Sequence, residues 1–411
     1  MGASRALGIL ASLYFVQGLP FGLQASALPL YLRAEGVSLA TLGYLSALAS
    51  PWALKALWAP LVDRTAPGRL GRRKRWIVPM QVGLGLSLLG GAFVDVRTGL
   101  PMLLGLVFLA NLFAATMDIA VDGLAVDLLR DGELGLGNAA QVAGYKLGMM
   151  TSGGVLVYLS RDHGYSAVFV GMAVLVALAT VATLAFREPA TPVPRIHGVP
   201  IDLRAAIARV AAALAEPSGR YLVVLVVFYK AGEAMADVML RPMLVDRGFA
   251  PHDLGLWLST YGTAASLAGS LVGGALASRF RLLPLLFAVA ALRAVPLGLE
   301  LAIALGESRE ILVIAIAIVE HLVGGMLTTV VFAFMMSSVD PRVGATHYTV
   351  LAAFENLGKG ITGFWAGALA ERLGYASIFG LALAMSMLFL VLYLPMARLA
   401  RSGAYVRPSA S

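Results

Sequence analysis

The chain of 411 residues is 59% apolar and only 13% charged, about half the charged share of a typical soluble domain. Its net charge is +8, but the basic residues are scattered among short polar segments, which excludes a nucleic-acid-binding surface. The chain has no cysteine, so a disulfide framework, thiol chemistry and a cysteine-ligated metal site are also excluded.

Apolar stretches long enough to cross a bilayer follow one another along the chain, since about 20 apolar residues suffice for one helical span. The first stretch is too long for the apolar core of a signal peptide and is expected to stay in the membrane. Breaks at charged residues and at Pro and Gly clusters predict twelve spans, numbered one to twelve: 7–32, 38–62, 76–95, 101–128, 138–160, 166–186, 219–244, 253–278, 282–304, 310–337, 344–370 and 375–397.

The longest polar segment divides these spans into two sets of six. Its prolines flank a run that alternates arginine with apolar residues at helical spacing, which predicts a helix on the membrane surface. We therefore expect an N-terminal six-helix bundle at 1–186, a cytoplasmic linker with a short amphipathic helix at 187–218, a C-terminal six-helix bundle at 219–397 and a cytoplasmic tail at 398–411.

The distribution of Lys and Arg predicts the orientation. If the N-terminus lies in the cytoplasm, most basic residues outside the spans fall on the cytoplasmic side, as the positive-inside rule requires. Both termini are then cytoplasmic, and the chain is expected in the inner (cytoplasmic) membrane as a multi-pass protein.

The two halves resemble each other in sequence. Gly-Tyr-Ser-Ala-Val-Phe at 164–169 matches Gly-Tyr-Ala-Ser-Ile-Phe at 374–379, and Leu147-Gly148 matches Leu357-Gly358. Spans one and seven also align, and their matched positions are Phe15 with Phe228, Gln17 with Lys230, Pro20 with Glu233, Gln24 with Asp237 and Pro29 with Pro242. Internal repeats of this kind build many transporter folds, with the substrate site between them. We expect an all-α membrane protein with pseudo-two-fold symmetry and polar groups around one central cavity.

Four of the five lysines lie inside apolar spans, where an unpaired ammonium group is expensive. They are Lys55, Lys146, Lys230 and Lys359. Such groups are expected to pair with a carboxylate or to face a wet cavity that holds an anion. We predict Lys146, Lys230 and Lys359 as anion-facing groups, with Gln17, Gln24 and Tyr229 as hydrogen-bonding partners of a substrate.

Carboxylates accompany these lysines at helical spacing. Lys230, Glu233 and Asp237 share one face of span seven, and Glu355 precedes Lys359 by four residues on span eleven, the favourable order for an ion pair. Asp118 lies on span four with Asp122, and Glu320 and His321 lie mid-way along span ten. We predict Asp118, Glu233, Asp237, Glu320 and His321 as proton-coupling groups.

Each of these sets also has a structural interpretation. Glu355 and Lys359 could form a static salt bridge, Lys230 and Glu233 could be only a pair, and His321 could be an ordinary core histidine. Asp127, at the cytoplasmic end of span four, is expected to be solvated or to anchor a loop.

The motifs of ATP hydrolysis and of hydrolytic enzymes are missing from the sequence. No Gly-rich loop ends in Lys-Ser/Thr, and neither a His-Glu-x-x-His pattern nor a nucleophile elbow occurs. The sequence predicts a protein that is not an enzyme and has no cofactor or metal. The energy for its function is expected to come from an ion gradient or from the substrate's own gradient.

Several motifs resemble a known family. Leu61-Val-Asp63-Arg64, followed after an insertion by Gly71-Arg72-Arg73-Lys74-Arg75, resembles the loop 2–3 signature of the major facilitator superfamily (MFS). Further segments resemble one branch of this superfamily, which contains the bacterial AmpG muropeptide permeases and acetyl-CoA transporters. These segments are Trp58-Ala-Pro60, Tyr14-Phe-Val-Gln-Gly-Leu-Pro20, Met117-Asp-Ile-Ala-Val-Asp122-Gly, Gly144-Tyr-Lys146-Leu-Gly148, Tyr229-Lys230-Ala-Gly-Glu233 and Glu320-His-Leu-Val-Gly-Gly325.

The resemblance implies alternating access by two rocking bundles, with proton-linked import in the AmpG-like members. It also implies a cytoplasmic gate, in which Asp63 and Arg64 hold neighbouring helix ends, and we add Glu355 as a gating candidate. AmpG-like proteins tend to have arginine where this chain has Lys146, which keeps the charge but lacks a bidentate fork.

The sequence therefore predicts a monomeric secondary transporter, coupled to protons, for an anionic or peptide-like small molecule that is muropeptide-like or acyl-CoA-like. Two alternatives stay open at this point. One is a drug or metabolite exporter of the same fold, and the other is a membrane sensor or scaffold that transports nothing.

Overall fold

The computed structural model describes residues 3–63, 71–129, 134–188, 203–306, 309–339 and 344–401. Within these residues every one of the twelve predicted spans is helical, and the protein is all-α. In the first six spans the helical segments are Ala3–Gly22, Leu23–Ala27 and Leu28–Ala34 (span one); Leu39–Tyr44, Leu45–Ala49, Ser50–Leu54, Lys55–Leu57 and Ala59–Asp63 (span two); Lys74–Gly91 (span three); Val96–Leu128 (span four); Leu134–Met150, Thr151–Val155 and Leu156–Leu159 (span five); and Gly164–Ala185 (span six).

A linker helix, Leu203–Ala215, precedes the second six spans. Their helical segments are Pro217–Phe228 and Ala231–Asp246 (span seven); Pro251–Leu254, Gly255–Tyr261 and Gly262–Arg279 (span eight); Leu282–Leu292 and Ala294–Leu305 (span nine); Glu310–Ser338 (span ten); Gly344–Leu373 (span eleven); and Tyr375–Phe389, Leu390–Leu392 and Tyr393–Arg401 (span twelve).

Among the described residues, six helical stretches are long and apolar enough by themselves to cross a membrane. They are Ser4–Ala34, Val96–Ala125, Gly164–Ala185, Leu282–Leu305, Glu310–Ser338 and Tyr375–Leu399. The other spans are interrupted or carry more polar residues. The chain is therefore a multi-pass membrane protein.

Span four begins five residues earlier than the sequence predicted. Asp95 caps the helix by accepting a hydrogen bond from the backbone N–H of Arg97 at 2.8 Å, and the backbone bends at Gly99. The start was predicted at residue 101 because charged residues and Pro and Gly clusters were taken as breaks between spans. Here Pro101 follows a bend inside the helix instead.

Several spans depart from regular α-helix where polar residues lie. Wider π-helical turns occur at Leu23–Ala27 in span one, Thr151–Val155 in span five and Gly255–Tyr261 in span eight. Span seven is interrupted at Tyr229 and Lys230, and span nine at Arg293. Such irregular turns inside membrane helices frequently mark functional positions.

The chain forms two compact units. One comprises Met1–Val37, Leu45–Ile196 and Leu244–Thr260, and the other Ser38–Tyr44, His197–Met243 and Tyr261–Ser411. We call them unit 1 and unit 2. Each unit consists mainly of one sequence half, with one short segment taken from the other half.

The internal repeat is visible in the packing of each unit. In unit 1, Gly148 of span five lies so close to the carbonyl of Phe15 that a Cβ atom would overlap it. In unit 2, Gly358 of span eleven lies in the same way against the carbonyl of Val227. Small residues allow helix backbones to approach closely in membranes. The two glycines matched in the sequence repeat therefore have the same structural role, which is to allow close approach of two helix backbones.

The core of unit 2 joins spans seven, nine, ten, eleven and twelve through aliphatic and aromatic side chains, among which Phe287 stacks on Phe389 with ring centroids 5.2 Å apart. The linker helix belongs to this unit. Its Val210 is buried against Leu214 and against Val350 of span eleven. The predicted amphipathic helix thus packs part of its apolar face on protein.

Candidate functional site

A cluster of charged side chains lies inside unit 2, among the apolar faces of spans seven, nine and ten. Its centre is Arg293, whose side chain is 2% exposed. We call it the Arg293 cluster, and its members are Lys230, Glu233, Asp237, Arg293, Glu320 and His321.

Arg293 links two spans through its guanidinium group. Its Nε lies 3.1 Å from Oε2 of Glu233 on span seven, and its Nη2 lies 2.7 Å from Oε1 of Glu320 on span ten. Nη1 donates a hydrogen bond of 2.5 Å to the backbone carbonyl of Glu320. Asp237 is more distant, at 4.0 Å, and its side chain is partly exposed. The planar fork of arginine suits such a bridge.

The local backbone places these groups. Arg293 stands at the interruption of span nine, between the helices that end at Leu292 and begin at Ala294. Lys230 stands at the interruption of span seven. Gly324 faces the cluster, where a Cβ atom would lie 3.2 Å from Oε1 of Glu233 and 3.5 Å from Nη1 of Arg293. The missing side chain leaves room for the guanidinium group.

The remaining members pair within their own spans. Lys230 Nζ lies 2.9 Å from Oε1 of Glu233, three residues later. His321 Nδ1 contacts Oε2 of Glu320. The structure thus brings together the predicted charged groups of span seven, Lys230, Glu233 and Asp237, with Glu320 and His321 of span ten. It adds Arg293, which the sequence analysis had not assigned to the site.

Three carboxylates of the cluster approach one another closely enough to hold a metal ion in principle. In the described part of the chain, ligand oxygens of Glu233, Asp237 and Glu320 lie within 4.8 Å of one another. However, the guanidinium group of Arg293 already contacts all three side chains. A metal would have to displace this cation, so the geometry fits an arginine-neutralised cluster better than a metal centre.

A second buried charge pair lies in unit 2. Lys359 Nζ is 2.7 Å from Oε1 of Glu355, and the hydroxyl of Tyr229 donates to the same oxygen at 2.7 Å. The side chain of Glu355 is buried, whereas that of Lys359 is 36% exposed. The ion pair predicted from the spacing of these residues is confirmed. The pair also ties span eleven to the interruption of span seven.

Unit 1 contains a hydrogen-bonded chain of uncharged side chains. Gln24 donates to the carbonyl of Leu45 at 2.9 Å and accepts from the amide of Asn111 at 2.8 Å. Asn111 in turn accepts from the indole N–H of Trp52 at 3.0 Å. Gln24 lies in the π-helical turn of span one. This network fixes the amide of Gln24 and the indole ring of Trp52.

Two carboxylates of unit 1, Asp118 and Asp122, have partners on other spans. Lys55 of span two contacts the carboxylate of Asp118 on span four, and its ammonium group lies 5.5 Å from the centre of the Trp52 ring. The hydroxyl of Tyr14 donates to Asp122 at 2.7 Å. Asp118, predicted as a proton-coupling group, therefore has a lysine partner from a neighbouring span.

Two further predicted residues lie on spans one and five of unit 1. Gln17 is buried, and its amide nitrogen has no hydrogen-bond partner within the described residues. Lys146 is partly buried on Leu134–Met150, one helical turn before the π-helical turn of span five.

The basic motif after span two is anchored at the start of span three. Arg72 and Arg73 contact the carboxylate of Asp127 at 3.1 and 3.0 Å, which confirms that Asp127 anchors a loop. The carboxylate of Glu188 accepts hydrogen bonds of 3.0–3.1 Å from three successive backbone N–H groups, of residues 72–74. An anion is favourable at this helix N-terminus. The predicted gating residue Arg64 and the side chain of Asp63 lie outside the described residues.

Sequence reasoning missed the residues that connect spans. It assigned no role to Arg293, Asn111, Trp52 or Glu188. The signal for Arg293 was available, because an arginine inside an otherwise apolar span needs a carboxylate partner from elsewhere.

Comparisons with known proteins agree with this architecture. A family model described as acetyl-coenzyme A transporter 1 matches residues 6–170. The anhydromuropeptide permease of Escherichia coli (strain K12) is 30% identical over 392 residues, which cover 94% of this chain and 78% of the relative.

Solved structures show the same fold at low sequence identity. The nucleoside transporter NupG matches with a TM-score of 0.76 at 14% identity, over 96% of this chain and 99% of that chain. A variant of the peptide transporter POT in complex with sulfate matches with a TM-score of 0.72 at 13% identity, over 96% and 95%. These transporters share the MFS fold with this chain. The protein is therefore a membrane transporter and not an enzyme. Its 30% identity to the permease over 94% of the chain shows that it belongs to the anhydromuropeptide permease (AmpG) family.

Proposed function

We propose that this transporter is a monomeric secondary active carrier, coupled to protons, that moves an organic anion or a peptide-like solute by alternating access. The observation that carries the proposal is the Arg293 cluster, in which several carboxylates and cations are buried together inside apolar spans. Buried ionisable groups in membrane spans are expensive and commonly mark the route of a substrate or a proton.

Proton coupling is supported by the composition of the cluster. Glu233, Asp237 and Glu320 lie within reach of one another, and neighbouring carboxylates are groups on which the binding of a proton relieves repulsion. His321 contacts Glu320, and an imidazole ring can both donate and accept a proton. In unit 1, Asp118 is the corresponding candidate beside Lys55.

The substrate class is supported by the lysines and amides near the interrupted helices. Lys230, Lys359 and Lys146 offer positive charge, and Tyr229, Gln17 and Gln24 offer hydrogen-bonding groups. The E. coli relative is named for anhydromuropeptide, and the matching family model is named for acetyl-coenzyme A. Both solutes combine negative charge with amide groups, so these side chains suit either. We further propose the inner membrane as the location, with both termini in the cytoplasm.

The proposal is tested with purified protein in liposomes. Uptake of labelled anhydromuropeptide, acetyl-CoA and a tripeptide is measured with and without an imposed pH gradient. A gradient of about one pH unit can drive about tenfold accumulation at one proton per substrate, because it stores about 1.4 kcal/mol. Gradient-driven uptake of one of these solutes supports the proposal. Flux that ignores the gradient contradicts proton coupling.

The alternatives predict different results in the same assay. An exporter of the same fold would move its solute out of the cytoplasm against a gradient, and it would be recognised by accumulation in inside-out vesicles. A sensor or scaffold would show no flux of any solute. The membership in a permease family favours transport over the sensor interpretation.

A further inference from the structure

Glu300 is the acidic residue of span nine, seven residues after Arg293, and it takes no part in the contacts described above. Its side chain is fully buried. Neither of its carboxyl oxygens has a hydrogen-bond partner within the described residues. An ionised carboxylate without a cation or donor is very costly in such surroundings, whereas the protonated acid is tolerable.

The groups around Glu300 come from three spans. Arg293 on its own span, Glu233 and Asp237 on span seven and Glu320 on span ten all lie within electrostatic range. Lys230 and Arg241 on span seven and His321 on span ten are further ionisable groups of these neighbours. Span twelve also packs on this part of span nine, but its helix Tyr375–Phe389 contains no charged residue. The side of Glu300 toward span twelve is thus apolar.

The cations nearby are already matched by other carboxylates. Arg241 lies one turn after Asp237 and within electrostatic range of Asp237 and Glu320. With a neutral His321, the charges therefore balance as three cations and three carboxylates: Lys230, Arg241 and Arg293 with Glu233, Asp237 and Glu320.

A protonated His321 would change this balance and would allow an ionised Glu300 by charge alone. The observed contacts distinguish an ionised Glu300 from a protonated one. His321 touches Glu320, whereas Glu300 touches neither a cation nor a donor among the described residues. The fourth carboxyl group is therefore the one that stays neutral.

We propose that Glu300 holds the transported proton in this conformation, and that Arg293 takes the place of this proton when it leaves. The inference rests on the proton coupling proposed above. When transport brings water to Glu300, its O–H bond breaks, the proton passes to that water and the carboxylate remains. Arg293 is the adjacent cation, so its guanidinium group turns toward Glu300 and loosens its bridge between Glu233 and Glu320. Loss of the proton is thereby linked to the contact between spans seven and ten.

The protonation of Glu300 is tested without any substrate, by infrared difference spectroscopy of the purified protein at neutral pH. The readout is the carbonyl stretching band of protonated carboxyl groups. We expect Glu300→Gln to remove part of this band. Glu310→Gln is the matched control, because Glu310 is exposed at the start of span ten and lies outside the Arg293 cluster. An unchanged band in Glu300→Gln overturns the proposal.

The coupling role is tested in liposomes with the transported solute identified among anhydromuropeptide, acetyl-CoA and tripeptide. Glu300→Gln imitates the protonated acid, so we expect exchange across the membrane to continue and gradient-driven accumulation to fall from about tenfold to none. Glu310→Gln is expected to behave as wild type.

The outcomes distinguish this inference from the proposed function. If wild-type flux ignores the pH gradient, proton coupling fails and the role of Glu300 fails with it. If wild-type flux is coupled and Glu300→Gln is equally coupled, Glu300 alone is excluded. Loss of both exchange and accumulation in a folded Glu300→Gln also overturns the proposal, because a neutral side chain should support exchange.

Discussion

Arg33 and Asp246 form a bidentate ion pair, with Nε to Oδ1 at 2.6 Å and Nη2 to Oδ2 at 2.7 Å. They are 213 residues apart, which is the spacing that relates Gln17 to Lys230 and Gln24 to Asp237. Residues at equivalent positions of the two repeats therefore meet each other, as expected close to a pseudo-two-fold axis. Both residues lie within unit 1, because residues 244–260 cluster with it.

We predict that this contact must open during transport. The pair lies at the ends of spans one and seven that are expected outside the cytoplasm, and alternating access requires these ends to separate. The chain has no cysteine, so Arg33→Cys with Asp246→Cys can be bridged without background by a bifunctional methanethiosulfonate, which forms a reducible disulfide with each cysteine. Solute exchange should stop after bridging and recover on release with a reductant.

A second ion pair on the same side provides the control. Arg97 Nε lies 2.9 Å from Oε2 of Glu35, and both residues belong to the first repeat. Bridging Glu35→Cys to Arg97→Cys should leave exchange intact. Full exchange with residues 33 and 246 bridged would show that their contact is static.

The Glu355–Lys359 pair should behave as one unit. Lys359→Met leaves the buried carboxylate of Glu355 with the Tyr229 hydroxyl alone, and such a loss should lower the free energy of unfolding by about 1–3 kcal/mol. The neutral double variant Glu355→Gln/Lys359→Met should recover part of this loss. Thermal unfolding in detergent gives the coupling energy through a double-mutant cycle. Additive effects would mean that the pair contributes no interaction energy.

Gly123 of span four should not tolerate a side chain. A Cβ atom there would overlap the guanidinium group of Arg73, which holds Asp127. We expect Gly123→Ala to push this guanidinium group away from Asp127 and to lower the free energy of unfolding by about 1–3 kcal/mol, because the partly buried charged groups lose their partners. Gly105→Ala is the matched control on the same span, since nothing lies within 4 Å of its added Cβ. Equal melting temperatures for the two variants would contradict the close packing at Gly123.

Arg293→Lys should be harmful although the charge is kept. A single ammonium group cannot reproduce the contacts with Glu233 and with two acceptors of Glu320. We expect loss of solute transport and a loss of about 1–3 kcal/mol in unfolding free energy, because buried acceptors lose partners. Arg281→Lys, at the exposed start of span nine, should match wild type in both measurements. A fully active Arg293→Lys would exclude a bridging role.

The spans themselves were predictable because a bilayer selects for length and apolarity. Pairs within one helix were predictable too, since three- or four-residue spacing brings Lys230 to Glu233 and Lys359 to Glu355. The arginine that pairs with Glu320 could not be predicted from the spacing of residues. Span ten has no Lys or Arg within a helical turn of Glu320, and Arg293 approaches from span nine. A single sequence contains no information on which spans are neighbours, so bridges such as Lys55 with Asp118 also needed the structure.

The bridge through Arg293 also has a consequence for biosynthesis. Spans enter the bilayer one after another, and a charged residue at the centre of a helix opposes its insertion by about 2.5–3.5 kcal/mol. Arg293 on span nine finds Glu233 on span seven already made, but Glu320 arrives only with span ten. A chain that stops after span nine would leave part of the guanidinium group facing lipid. The second six spans are therefore expected to be released from the insertion machinery as a group.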